Sequence, residues 1–216
     1  MRKAKCALWL LLILMVPDRG AAQSADMPSA VGRISYGETL APGAAICTGV
    51  LVAPDLVLTA SHCVRGAAED PASIRFDAGW EDGRPDVRGQ GAKVLLPGSE
   101  ELSSDIALVL LDHQIVAEMA TPLPLATSSE GSHEMHGFRR DDPGRPAAPQ
   151  TCHTLAVLPG LLGFDCPAVS GNSGAPLLQR REEGWEVVAI MVAASAIGPV
   201  RSWAVRPPDW VLQTLP

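Results

Sequence analysis

VSGNSGAP, residues 169–176, sets a serine between glycines and directly after an asparagine. A tight turn accounts for the glycines; a nucleophile accounts for the serine as well. A serine hydroxyl attacks at neutral pH only when a base takes its proton, a third group orients that base, and donors receive the oxyanion that forms. Ser173 therefore asks for a histidine and an acid elsewhere in the chain. Histidines stand at 62, 113, 133, 136 and 153, and none follows Ser173. This excludes the chain order serine, acid, histidine and leaves histidine, acid, serine open. The local string agrees, because Ala175 occupies the place where a GxSxG elbow has its second glycine.

The chain has 216 residues, 47% of them hydrophobic, which is ordinary for a globular protein. The length suits one large domain or two units sharing a core. A net charge of -7 argues against a nucleic-acid partner, and the pair Arg139-Arg140 is followed at once by Asp141 and Asp142. Arg2, Lys3 and Lys5 precede an apolar run, Cys6 to Val16, that is short for a bilayer span; Pro17 to Ala22 then supplies a turn and small residues. Residues 1–22 thus read as a secretory signal peptide and 23–216 as the mature domain, periplasmic or secreted, with no membrane anchor once the signal is removed. Cys6 leaves with the signal. In an oxidising compartment Cys47, Cys63, Cys152 and Cys166 are expected to form disulfides. Four cysteines allow three pairings, of which the local one, Cys47 with Cys63 and Cys152 with Cys166, is favoured because each pair lies around or beside a candidate active residue. Metal binding is disfavoured: there is no CxxC, and the pairs are far apart.

Short Val, Ile and Leu runs recur between Gly, Pro and Asp signals: 45–53, 56–59, 93–96, 106–111, 154–158, 175–178 and 185–193. The pattern predicts an all-β barrel or sandwich. Stretches 81–91 and 139–150 read as polar loops, and EMATPLPL, 118–125, as a connection between two β units of about 30–115 and 126–200. Pro207-Pro208-Asp209 before WVLQTL predicts a terminal helix over about 207–215.

His62 stands in LTASHCV, beside a cysteine that a disulfide would hold still; Asp105 stands in SSDIALVLL, at the mouth of an apolar run where a carboxylate can be shielded and accept an imidazole N–H. Together TASHC (59–63), DIAL (105–108) and GNSGAP (171–176) resemble the three active-site signatures of chymotrypsin-like, or trypsin-like, serine proteases, in the same order. The resemblance runs from about Arg33 to the terminal helix-like segment. It implies two six-stranded antiparallel β-barrels with the site between them and a short C-terminal helix. It implies His62 as general base, Asp105 as its orienter, Ser173 as nucleophile, and the N–H groups of Gly171 and Ser173 as the oxyanion hole. Cys47 and Cys63 match the family's bridge behind the histidine.

Departures from the family pattern are informative. Animal members have an aspartate before the serine that pairs with a new N-terminal amine; here the residue is Asn172, so Arg33-Ile34 is discounted as an activation site. GNSG, Cys166 seven residues before Ser173, and HGF (136–138) look more like bacterial members, including the glutamyl-endopeptidase branch. By resemblance, Pro167, Ala168, Val169 and Ser170 form one wall of the primary pocket, and Val192, Ala193 and Ala194 another. No acid lies in CPAVS, Asp165 being a weak alternative, and Met191 stands near the place of the glutamate-specific branch's histidine. A small or medium apolar side chain is the expected preference. His133 and His136 read as solvated loop residues, not zinc ligands, and His153 as a surface residue; Trp203 and Trp210 read as packing for the helix. The expected function is an exported serine endopeptidase acting on polypeptide through an acyl-enzyme, without metal or cofactor, its oligomeric state unspecified. The alternatives are an inactive binding module on the same fold, or an esterase.

Overall fold

A computed structural model describes residues 27–37, 44–81, 84–129 and 131–216. The signal-peptide stretch lies outside them. Two closed six-stranded antiparallel barrels carry the structure. The first is built from β1 (Val31–Tyr36), β2 (Cys47–Ala53), β3 (Leu56–Thr59), β4 (Ile74–Glu81), β5 (Arg84–Leu95) and β6 (Ala107–Leu111), in the order β1-β2-β3-β6-β5-β4. The second uses β7 (Ser132–Met135), β10 (Gln150–Leu158), β11 (Leu161–Phe164), β12 (Pro176–Arg181), β13 (Gly184–Ala194) and β14 (Ser202–Val205), in the order β10-β11-β14-β13-β12-β7. Between β7 and β10, β8 (Phe138–Arg139) and β9 (Asp142–Pro146) form a separate hairpin. Helix α1 (Ser61–Val64) follows β3, and α2 (Asp209–Thr214) ends the chain.

The residue pattern explains how the two barrels are joined. Along β13, Ala189 and Met191 point into the second barrel with Leu162, Phe164, Leu177 and Ala204. Their neighbours Ile190 and Val192 join Leu178 and Val205 in the cluster that is continuous with the buried residues of the first barrel. A strand buried on both faces reads as a continuous apolar run, with its two-residue period hidden. Burying both faces also fixes its register, because a slip of one residue would exchange the two cores. Trp203 and Trp210 are partly buried against this cluster, as expected for residues that seat the terminal segment.

Three readings need correction. Stretch 81–91 is largely β5, paired with β4 on one side and β6 on the other. Gly89 and Gly91 mark crowding: a Cβ at Gly89 would lie 2.8 Å from Leu111, and one at Gly91 2.5 Å from the Pro71 carbonyl oxygen. Stretch 139–150 is the β8–β9 hairpin and the start of β10, its charges paired locally as Arg139–Asp141 and Arg145–Asp142. Prolines are tolerated there because the hairpin has open edges. His133 and His136 are buried, not solvated. His133 lies on β7 with Nε2 2.9 Å from Ser129 Oγ, and its ring meets Phe164 edge-on. His136 Nε2 lies 3.0 Å from Glu134 Oε2. The Arg33-Ile34 bond sits inside β1, where Arg33 pairs with Asp77 at 2.6 Å.

Candidate active site

His62 is held by its neighbour in sequence and by a remote carboxylate. Cys63 is bonded to Cys47 of β2, which ties α1 to the barrel wall. Asp105, between a 3-10 turn (Leu102–Ser104) and β6, accepts the His62 backbone N–H on Oδ1 at 2.8 Å, and its Oδ2 lies 2.6 Å from Nδ1. One carboxylate thus fixes the position of the residue and the rotation of its ring. The side chain of Asp105 is 16% exposed and that of His62 45%, so the acid is shielded while the ring edge opens to solvent. Burial opposes the Asp105 charge, but the ring and backbone hydrogen bonds from His62, with the nearby Arg65 cation, outweigh it and hold the carboxyl below its ordinary range.

His62, Gly171 and Ser173 line one cleft of about 530 Å³, with Ser170, Tyr36, Arg140 and the Cys47–Cys63 bridge. An adjoining pocket of about 490 Å³ shares Ser170 and Ser173 and is lined otherwise by Ala168, Val169, Met191, Val192, Ala193 and Ala194. Pro167 lies apart from both. It lines a third cavity with Val169 and the charged hairpin residues Arg139, Asp141, Asp142 and Arg145. Asp165 pairs with the exposed His153 at 2.9 Å and lines none of these three cavities. Cys152 and Cys166 form the second disulfide. Among the described residues, the one cluster with metal-ligand spacing is Cys47, His62 and Cys63, whose sulfurs are bonded to each other.

The serine loop is fixed through its carbonyls. Val169 O accepts from Asn172 N–H at 2.9 Å, Ser170 O from Arg140 N–H at 2.8 Å, Asn172 O from Ala175 N–H at 2.9 Å, and Ser173 O from Thr48 N–H at 2.8 Å. Gly171 O accepts from the Thr48 hydroxyl at 2.8 Å. In a trans peptide the N–H points opposite to the C=O of the preceding residue. Holding Ser170 O and Asn172 O on the protein side therefore turns the N–H groups of Gly171 and Ser173 outward, and neither donates to a protein acceptor among the described residues. Gly171 adopts φ +102°, and a Cβ there would lie 2.7 Å from Arg140 N, so glycine is required on both counts. The arrangement offers a hydroxyl, an oriented imidazole and two outward N–H donors around one cleft.

Sequence reading missed Thr48, Phe138 and Asn172 as parts of this frame. Thr48 carried a signal: it is the one hydroxyl in the apolar run AICTGVLVA, and buried hydroxyls find partners. Phe138 acts through its backbone, whose N–H donates to the Thr48 hydroxyl and whose carbonyl accepts from the Asn172 amide, partners remote in sequence that leave no local signal.

No curated protein matches the chain in a sequence comparison. A family model, trypsin-like peptidase domain, matches residues 47–190, a stretch that begins at the bridged Cys47 and includes His62, Asp105, Gly171 and Ser173. With two six-stranded antiparallel barrels and a match over most of its length, the chain belongs to the trypsin-like peptidase family and has a protease-type function.

Proposed function

We propose that the protein is an exported serine endopeptidase that cleaves polypeptide through an acyl-enzyme. His62 takes the Ser173 proton as the hydroxyl attacks the peptide carbonyl, then delivers it to the leaving amine; water repeats the sequence to release the acyl half. Asp105 keeps the Nδ1 proton in place, so Nε2 is the atom that accepts. The N–H groups of Gly171 and Ser173 receive the oxyanion. The observation that carries this reading is the Asp105 carboxylate bound to the backbone N–H and to Nδ1 of His62 beside a cleft that Ser173 also lines. A fluorophosphonate probe tests it: labelling of the native protein, absent in Ser173→Ala, is the expected result. A folded, unlabelled native protein would favour the inactive binding module. Comparing peptide with ester substrates separates endopeptidase from esterase.

The acyl-side pocket is lined by Ala168, Val169, Val192, Ala193 and Ala194 and by no ionisable side chain, which favours a small or medium apolar residue before the scissile bond. A cleavage profile dominated by Arg, Lys or Glu at that position refutes the preference. Export is supported by the two disulfides, which persist in oxidising compartments, and by the signal-like leader. No helix among the described residues is long and apolar enough to cross a membrane. The bacterial-type assignment rests on GNSG (171–174), Cys166 seven residues before Ser173, and HGF (136–138).

A further inference from the structure

We propose that Thr48 is a positioning residue for the reaction, its hydroxyl holding the serine loop in the shape that presents the two oxyanion donors. The inference rests on the proteolytic reading of the cleft. Thr48 is fully buried on β2, in the first barrel, yet its hydroxyl bonds β8 and the serine loop, which lie outside that barrel. Its hydroxyl accepts from Phe138 N–H at 3.0 Å and donates to Gly171 O at 2.8 Å. One oxygen therefore joins β8 to the peptide plane that lies between the two donor-bearing planes. Its backbone N–H adds the bond to Ser173 O, and its carbonyl is held by the Thr59 hydroxyl at 2.7 Å, which fixes Thr48 itself.

Phe138 makes the hydroxyl more than a local tether. The Phe138 carbonyl accepts from Asn172 Nδ2 at 3.0 Å, while Asn172 Oδ1 accepts from Val169 N–H at 2.9 Å. Two residues along, Arg140 N–H holds Ser170 O. Displacing Phe138 thus disturbs the amide brace at Asn172 and the bond that turns Gly171 N–H outward. The far side of Phe138 is packed by Trp80, at 5.1 Å between ring centroids, and Arg33 lies over Trp80. The hydroxyl sits where the frame of β8 meets the serine loop, and it bonds both from the first barrel, whereas the Asn172 amide bonds both from within the loop itself.

The test uses two near-isosteric pairs, Thr48 against Thr48→Val and Thr48→Ser against Thr48→Ala, each differing chiefly by the hydroxyl. In the full-length, disulfide-closed protein, loss of the hydroxyl is expected to lower kcat about 100-fold, the scale of a misplaced catalytic frame, with KM within about threefold. Affinity for a peptide boronate, which needs the oxyanion donors, should fall in step with kcat, whereas affinity for a product peptide should not. Thr48→Ser should keep kcat within about fivefold of native. Folded Thr48→Val or Thr48→Ala with native kcat overturns the assignment, as does equal damage in Thr48→Ser. Should neither hydroxyl-free variant fold, the group is a requirement of the fold and the proposal also fails. Native protein that is neither labelled by fluorophosphonate nor active overturns the proteolytic reading itself, and this proposal with it.

Discussion

Replacing Asp105 with asparagine separates holding from orienting, because the two groups are nearly isosteric. The carboxylate accepts at both oxygens, from His62 N–H at 2.8 Å and from the ring at 2.6 Å. Asparagine has one acceptor and one NH₂ donor. The backbone N–H cannot become an acceptor, so the amide oxygen must face it. The NH₂ then faces Nδ1, which has to accept, and the ring proton moves to Nε2. The base is left in place with its accepting nitrogen blocked. The expected cost is about 10⁴-fold in kcat, or roughly 5.4 kcal/mol of activation free energy. KM should hardly change, because Asp105 lines neither the cleft nor the adjoining pocket. A fluorogenic peptide reports turnover, fluorophosphonate labelling rates report nucleophile activation without a leaving amine, and circular dichroism verifies the fold. A folded Asp105→Asn variant within tenfold of native kcat, under conditions where Ser173→Ala is inactive, refutes the role given to the carboxylate.

Other perturbations address the frame. Removing the Cys47–Cys63 bridge with a double alanine variant opens a link of sequence separation 16, worth about 3 kcal/mol in the loop-entropy treatment; a urea unfolding loss below 1 kcal/mol contradicts this. Burial pushes His133 below its ordinary range, with the nearby Cys152 backbone offsetting this only in part and its Nδ1 making no hydrogen bond; burial pushes His136 down as well, against Glu134. The unfolded chain therefore takes up protons first, from about pH 6.5, and stability should fall as pH drops through that point. Thermal melts at pH 7.5 and 5 measure it, and the slope should flatten in His133→Gln with His136→Gln; a melting temperature that rises on acidification reverses the sign and refutes it. Gly174→Ala should abolish soluble protein, since a Cβ would lie 2.0 Å from Thr48 O at a φ of +82°, whereas Gly98→Ala, with nothing within 4 Å, should express normally.

What could be read from residues alone follows burial. The run 56–59 is β3 to the residue, and 45–53 and 106–111 contain β2 and β6, because these strands are buried on nearly every position and appear as unbroken apolar strings. Some strands with one wet face, β4 among them, carry no such run. In β4, Ile74, Phe76 and Ala78 are buried between the charged Arg75 and Asp77, an alternation that marks a strand only when counted at period two. β7 was hidden because its inward residues are His133 and Met135, and a histidine is a poor core signal. The site was more legible than its scaffold. His62, Asp105 and Ser173 each stand in a distinctive local string, and the structure gathers two of them around one cleft with the third bound to His62. What no string carried was the set of long-range bonds that shapes the serine loop, since a bond from Thr48 to Gly171 spans 123 residues.

That bond bears on how two loops from different barrels keep a common geometry. Cys47 and Thr48 are adjacent on β2. Cys47 is bonded to the residue after His62, and Thr48 holds both Gly171 and Ser173 through their carbonyls. The proposed base and the proposed nucleophile are therefore tied to neighbouring positions of a single strand, one by a covalent bond and the other by hydrogen bonds. A barrel strand paired on both sides is stiff, as β2 is between β1 and β3. A displacement of β2 carries both loops in the same direction and leaves their separation nearly unchanged. A relative movement of the barrels, by contrast, must break the Thr48 bonds before it can part base from nucleophile. Precise alignment of reacting groups contributes several kcal/mol to catalysis, so this junction is where the fold has most to protect. The polar contacts of Thr48 thus lie at the seam of the barrels, where apolar packing alone would hold the two halves together without fixing how they are turned.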